Sequence, residues 1–267
     1  MNNFLARAYS YLIRIDDPKI HKEKYPFKLV LKLTLRILNL VRWVIALMII
    51  NRVDSLSDFY SKIHIFWYRG NEGHTQQSVD QTNFLSKISK EKDSIFEIGF
   101  NGGHSAETFL TNNLSTTLLS CDIGWYYYSK FGEMYLKNKF GKRFELIIED
   151  SKKLVPQLTK HNQNKFDLIY IDGGHEYEDA IQDILNSKKL AHEDTVLMVD
   201  DVVNEDSQNI THSNSGPSKA WKELIANKLI TPLEYLEFND NNLFRSAVVG
   251  RYEKDSNKTN VEGDELH

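Results

Sequence analysis

The sequence predicts a doubly wound α/β fold over residues 71–252, its sheet mostly parallel with an antiparallel closing strand. A basic amphipathic helical extension (residues 1–70) precedes it, and a disordered tail (residues 253–267) follows. Three observations predict this. From residue 95 onward, short apolar runs alternate with helix-like stretches, the pattern of strands joined by crossover helices. A glycine-rich turn directly follows the first of those runs. Charge is also split unevenly: residues 1–52 hold ten Lys/Arg against three Asp/Glu, which makes them +7 and leaves the rest of this −4 chain at −11.

Pro26 opens the predicted extension helix, which runs from Phe27 to Arg42 and on through an apolar end, Val44 to Ile50. At roughly 100° per residue, Lys28, Lys32, Arg36, Asn39 and Arg42 share one stripe about 120° wide. Its other residues are almost all apolar. The apolar run after Arg42 is too short to cross a bilayer, which needs about 20 such residues. A helix of this kind lies in a membrane interface, docks on the catalytic domain or meets a second subunit to form a homo-oligomer. Residues 27–50 are the candidate membrane-facing surface.

The strands follow in order at Ser94–Ile98, Leu118–Cys121, Phe144–Ile148, Phe166–Ile171 and Val196–Val199. Their unbroken apolar character suits strands buried on both faces. Tyr235–Phe238 and Ser246–Tyr252 read as the antiparallel closing pair, and the polar, aromatic-free stretch from Glu253 to His267 reads as disordered. The single cysteine, Cys121, excludes an internal disulfide and suits a cytoplasmic protein, peripheral to a membrane if the helix binds one. The net charge of −4 argues against a nucleic-acid partner bound through a globally basic surface.

Candidate ligand-binding residues lie where strands end. Glu97-Ile98-Gly99-Phe100-Asn101-Gly102-Gly103-His104-Ser105 leaves a strand and opens a helix, the position of a nucleotide-type ligand in an open parallel sheet. Gly99 and Gly103 allow a tight turn, with Phe100, Asn101 and Ser105 beside the ligand. Asp122 ends the next strand, where a carboxylate accepts ribose hydroxyls. Glu97 ahead of the first glycine suits the cationic amino-acid end of S-adenosylmethionine and repels a diphosphate. Asp150 is placed to reach an adenine amine, with Ser151 beside it, although either residue also suits a helix cap.

These segments, with Phe166-Asp167-Leu168-Ile169-Tyr170-Ile171-Asp172-Gly173-Gly174-His175 and Val199-Asp200-Asp201, resemble class I S-adenosylmethionine-dependent methyltransferases. The resemblance is to the group related to macrolide-sugar and catechol O-methyltransferases. It covers roughly residues 72–252 and implies a Rossmann-like fold with S-adenosylmethionine as cofactor.

Asp172 ends the fourth strand and Asp200-Asp201 the fifth, so three carboxylates are expected to converge beside the cofactor. Close carboxylates repel unless a cation joins them, and hard oxygen donors select Mg²⁺, Mn²⁺ or Ca²⁺. His175 is the candidate general base. By resemblance to the sugar O-methyltransferases, Asp172, Asp200 and Asp201 are metal ligands and His175 is the base. The acceptor expected is a hydroxyl of a sugar, glycan, lipid-linked or secondary metabolite. Trp125 to Tyr128 either wall the pocket or pack against the extension, and the polar stretch Asn204–Ser218 reads as a mobile lid. The rivals are a catalytically silent membrane-associated binding protein, and a hydroxylase or nicotinamide-dependent enzyme on a related fold.

Overall fold

Apolar runs of five or six residues rich in Ile, Leu, Phe and Tyr are too short for helices and lack a polar face, so they pair as central strands. The structure, a computed structural model, describes residues 28–63, 74–161, 165–240 and 243–254. The expected helix opening at Pro26–Phe27 and nearly all of the expected tail lie outside the described residues.

The order along the chain is α1 (Lys28–Ile49), α2 (Leu56–Lys62), α3 (Val79–Ser89), β1 (Ser94–Ile98), α4 (His104–Asn112), β2 (Thr117–Asp122), α5 (Ser129–Phe140) and β3 (Phe144–Ile148). It continues with α6 (Ser151–His161), β4 (Phe166–Ile171), α7 (Tyr177–Ser187), β5 (Ala191–Asp200), α8 (His212–Ala226), β6 (Ile230–Asp240) and β7 (Leu243–Tyr252). The seven strands are arranged β3-β2-β1-β4-β5-β7-β6. β1 to β5 run parallel, and β7 is antiparallel to both β5 and β6.

The order leaves β1 in one direction toward β3 and in the other toward β4, so the crevice above β1 and β4 is the topological switch point where ligands bind in such sheets. Register sharpens this. Ile98 pairs with Ile171 and Ile171 with Val199, so the residues just past β1, β4 and β5 emerge side by side.

Strand alternation sends Phe96, Ile98, Ile169, Ile171 and Val199 to one face, packed with Trp221 and Leu224 of α8. Ile95, Leu168, Tyr170 and Met198 face the other way. That second core includes Ala46, Ile50, Leu56, Phe59, Tyr60 and Ile63, so α2 and the end of α1 share the core of the α/β domain. Ser55 caps α2, and the Leu56 amide donates to the buried Glu107 carboxylate (2.9 Å).

Candidate active site

The turn after β1 is shaped by what lies over it. Gly99 has φ +99°, and a Cβ there would sit 1.8 Å from the carbonyl oxygen of Asp172. Its N–H donates to the Cys121 carbonyl (2.9 Å), and the Asp172 N–H donates to the Ile98 carbonyl (2.8 Å), so β2, the loop and the end of β4 are joined through backbone. Asn101 adopts φ +48°, a left-handed conformation that Asn tolerates. Its N–H donates to Asp122 Oδ2 (2.8 Å), while the Gly124 N–H donates to Oδ1 (2.7 Å). Asp122 is thereby aimed at the crevice edge by two main-chain amides. The Tyr128 hydroxyl donates to Asn101 Oδ1, and the Ser129 hydroxyl to the Asn101 carbonyl (2.6 Å).

Glu97 lies wholly beneath this loop. One carboxylate oxygen accepts the Ser105 hydroxyl and the other the Ser120 hydroxyl (2.5 Å). Burial pushes its pKa up to about 7, against the lowering effect of those two bonds. Its link to the loop runs through Ser105, in the first turn of α4, whose N-cap Gly103 is left-handed at φ +88°. The Phe100 side chain is buried and stacks on Phe144 (5.6 Å between centroids), so what Phe100 offers a ligand is main chain. Asp150 and Ser151, expected at the cofactor or in a helix cap, both make contacts within the protein. Asp150 Oδ1 accepts the Lys152 N–H (2.9 Å) as the cap of α6, and the Ser151 hydroxyl donates to Asp183 Oδ1 (2.5 Å). His104 starts α4, buried against His74 (4.0 Å between rings).

At the ends of β4 and β5, three side chains converge: Asp172, His175 and Asp201 each offer a donor atom within 4.8 Å of the others. Asp200, expected as a ligand, is not one of the three. Successive strand residues point to opposite faces, and Asp201 turns further by adopting φ +56°. Asp200 is instead buried, with both carboxylate oxygens accepting the Gln81 side-chain amide (2.9 and 3.1 Å). His175, expected only as a base, joins the cluster through Nε2, 3.2 Å from Asp201 Oδ2. α8 comes close here because position 216 is glycine: a Cβ would lie 2.2 Å from the His175 carbonyl oxygen.

The electrostatics are those of crowded, partly desolvated carboxylates. Burial first, and then the Asp201 charge, push Asp172 up to about 6, with His175 and Arg245 pulling it down. Asp200 is raised well above the usual range by burial and by the charges of Asp172 and Asp201. Burial also raises Asp201, opposed by His175 and Arg245.

Three contributors had no signal in the sequence. Gln81 reaches Asp200 from α3. The Tyr60 hydroxyl of α2 lies 2.9 and 3.0 Å from the carbonyl oxygens of Gly102 and Tyr128. Arg245 of β7 is the nearby cation, and its buried Nε has no hydrogen-bond partner among the described residues. No local motif marks any of them; only the strand order brings them here. Of the two roles foreseen for the aromatic cluster, packing against the extension is seen, where the Tyr127 hydroxyl accepts the Trp43 indole N–H (3.1 Å); Tyr128 in addition supports the loop through Asn101. About half of the stretch Asn204–Ser218, expected as a lid, is helix, because Thr211 and Asn214 form a capping box that starts α8 at His212.

A methyltransferase-domain family model matches residues 96–202. A search of curated proteins finds no significant match to the chain. Among solved structures, the chain is similar to the O-methyltransferase TomG of Streptomyces achromogenes, involved in tomaymycin synthesis and solved with S-adenosylmethionine. The identity is 15%, covering 76% of this chain and 92% of that one, with TM-score 0.60. An O-methyltransferase of Bacillus cereus with bound S-adenosylhomocysteine matches at 14% identity, over 81% of this chain and 100% of that one, with TM-score 0.61. A 1,6-didemethyltoxoflavin-N1-methyltransferase of Burkholderia thailandensis matches at 16% identity, over 74% and 87%, with TM-score 0.51. These likenesses show a shared fold, and the family match falls on the segment that carries the glycine loop, Asp122 and the carboxylate edge. Residues 96–202 thus match a methyltransferase-domain family, within a fold shared with these solved methyltransferases.

Proposed function

We propose that the protein is a divalent-metal-assisted O-methyltransferase whose acceptor is a hydroxyl of a sugar, glycan, lipid-linked or secondary metabolite. The observation that carries this reading is the cluster of Asp172, His175 and Asp201 next to the Gly99 turn. Asp122 would accept the ribose hydroxyls of S-adenosylmethionine. Asp150 would reach the adenine amine with the oxygen not used in capping α6.

The donor set fits a hard cation. Asp172 and Asp201 supply oxygen ligands, and their mutual charge and burial raise the cost of leaving both ionised without one. These two residues would hold Mg²⁺, or Mn²⁺ or Ca²⁺, which when bound lowers the pKa of a hydroxyl beside it. Asp200, oriented by Gln81, lies behind them.

His175 acts on the acceptor itself. It takes the proton as the hydroxyl oxygen attacks the sulfonium methyl carbon; the methyl–sulfur bond breaks with its electron pair going to sulfur, and S-adenosylhomocysteine leaves. Asp201 Oδ2, 3.2 Å from Nε2, orients the ring. The position of Nε2 within the cluster also favours a second reading, in which His175 is a third metal ligand.

Transfer of labelled methyl from S-adenosylmethionine to a panel of hydroxylated acceptors, with and without chelator, tests the proposal. Turnover that needs added Mg²⁺ or Mn²⁺ supports it; undiminished turnover in chelator overturns metal assistance, and labelling of nitrogen alone overturns O-methylation. Calorimetric titration of Mn²⁺ into His175→Ala separates the two roles. A base leaves metal affinity unchanged while turnover falls, whereas a ligand loses both.

A further inference from the structure

The docking of α1 is inverted relative to that of an ordinary surface helix. The residues it buries include Asn39 and Arg42, whose guanidinium donates to Asn39 Oδ1 (2.9 Å), with Ala46 one turn on. Burial lowers the Arg42 pKa to about 10, so this contact costs desolvation. The opposite face is apolar and open. Ile37, Leu40, Leu47 and Met48 are 64%, 66%, 66% and 64% exposed, and Val41 and Val44 lie on the same side. Trp43 anchors the helix to the domain through Tyr127 and by packing on Phe131 (5.0 Å between rings). An exposed apolar face this continuous marks a surface that meets something else.

We propose that α1 lies along the surface of an anionic membrane. Ile37, Leu40, Val41, Val44, Leu47 and Met48 would enter the boundary between headgroups and acyl chains, and the catalytic domain would ride on the polar side of the helix. Charge selects this occupant. Besides the buried Arg42, residues 28–52 contain four Lys/Arg and no Asp/Glu. Two copies meeting through such faces would bring like charges together, whereas an anionic leaflet attracts them. The remainder of the chain beyond residue 52, at −11, is repelled by the same leaflet, so the asymmetry orients the molecule with α1 down. Among the described residues, no helix is long and apolar enough to cross a membrane, which leaves an in-plane helix as the mode of contact. The proposal stands independently of the metal and the acceptor.

Co-flotation of the full chain with vesicles of phosphatidylcholine alone, or mixed with phosphatidylglycerol, is the test. We expect about tenfold more protein on the anionic vesicles, an effect weakened by high salt. The double substitution Val44→Glu, Leu47→Glu should remove it while the melting temperature stays unchanged, since both side chains are exposed. A Leu47→Cys variant carrying an environment-sensitive fluorophore gives a second readout. Cys121 is buried and should stay unlabelled, and anionic vesicles should blue-shift the emission. No flotation on either vesicle, or no spectral shift, overturns the proposal. So does a lipid-free dimer that the double substitution converts to a monomer, because a second copy would then be what covers the face.

Discussion

The carbonyl oxygen of Asp172 occupies the space where a side chain at Gly99 would begin, 1.8 Å from the position of its Cβ. The glycine turn after β1 and the first residue of the carboxylate edge are therefore in direct backbone contact. Gly99→Ala meets both that clash and φ +99°, so the loop must move. We expect a loss of about 2–4 kcal/mol of stability. S-adenosylhomocysteine binding should fall below detection in calorimetry, and normal binding by this variant would refute the contact.

Asp201 adopts φ +56°, which Asn tolerates and Ala does not favour. Asp201→Asn should therefore keep the parent melting temperature within about 1 kcal/mol of stability while turnover drops roughly a hundredfold. Asp201→Ala should lose the same turnover and, in addition, about 1 kcal/mol to strain. Thermal melts beside steady-state kinetics separate charge from shape.

Glu97 keeps its proton in the folded state up to about pH 7, against an ordinary value of 4.5. The stabilisation from holding that proton is complete below about pH 4.5 and is lost as pH rises through about 7. Glu97→Gln cannot lose it. Between pH 5 and 8 the variant's stability should decline less steeply than the parent's, by about 2–3 kcal/mol across the range, in urea titrations at each pH.

The stacked pair His74 and His104 gives the opposite slope. Burial pushes them from 6.5 down to about 4 and about 3, so both stay neutral in the fold where an unfolded chain would take up protons. Their contribution is complete above about pH 6.5 and is lost as pH falls toward 4 and then 3. His104→Phe keeps an aromatic ring against Tyr60 and His74. The stability difference between variant and parent should grow in the variant's favour from pH 7 to pH 5; a constant difference would contradict the assignment.

The parts of the site that were legible in the sequence are those set by local chemistry. Ser94–Ile98, Phe144–Ile148 and Phe166–Ile171 were bounded correctly because short, mainly apolar runs between helix-like stretches read as strands, although β3 is an edge strand with Glu145 and Ile148 exposed and not one buried on both faces. Gly99 and Asp172 could be placed at one edge because strand ends are visible in the chain. Whether Asp200 or Asp201 faces the cluster depends on a single left-handed residue, which carries no sequence signal when it is not glycine. Asp150 had two chemically equal uses, and its helix-capping bond forms with a neighbour two residues away. Tyr60, Gln81 and Arg245 arrive from α2, α3 and β7, elements distant in sequence from their partners, so their roles exist only once the sheet is assembled. For α1, the hydrophobic period was readable, but which side the domain would take was not.

The backbone junction at Gly99 and Asp172 ties the glycine turn to the carboxylate edge, so a substitution at either displaces both. On the proposed function, acceptor preference would be varied from segments that approach outside that junction, such as α3 with Gln81 and β7 with Arg245. A library aimed at retargeting this enzyme should be drawn there, with the glycine turn left untouched.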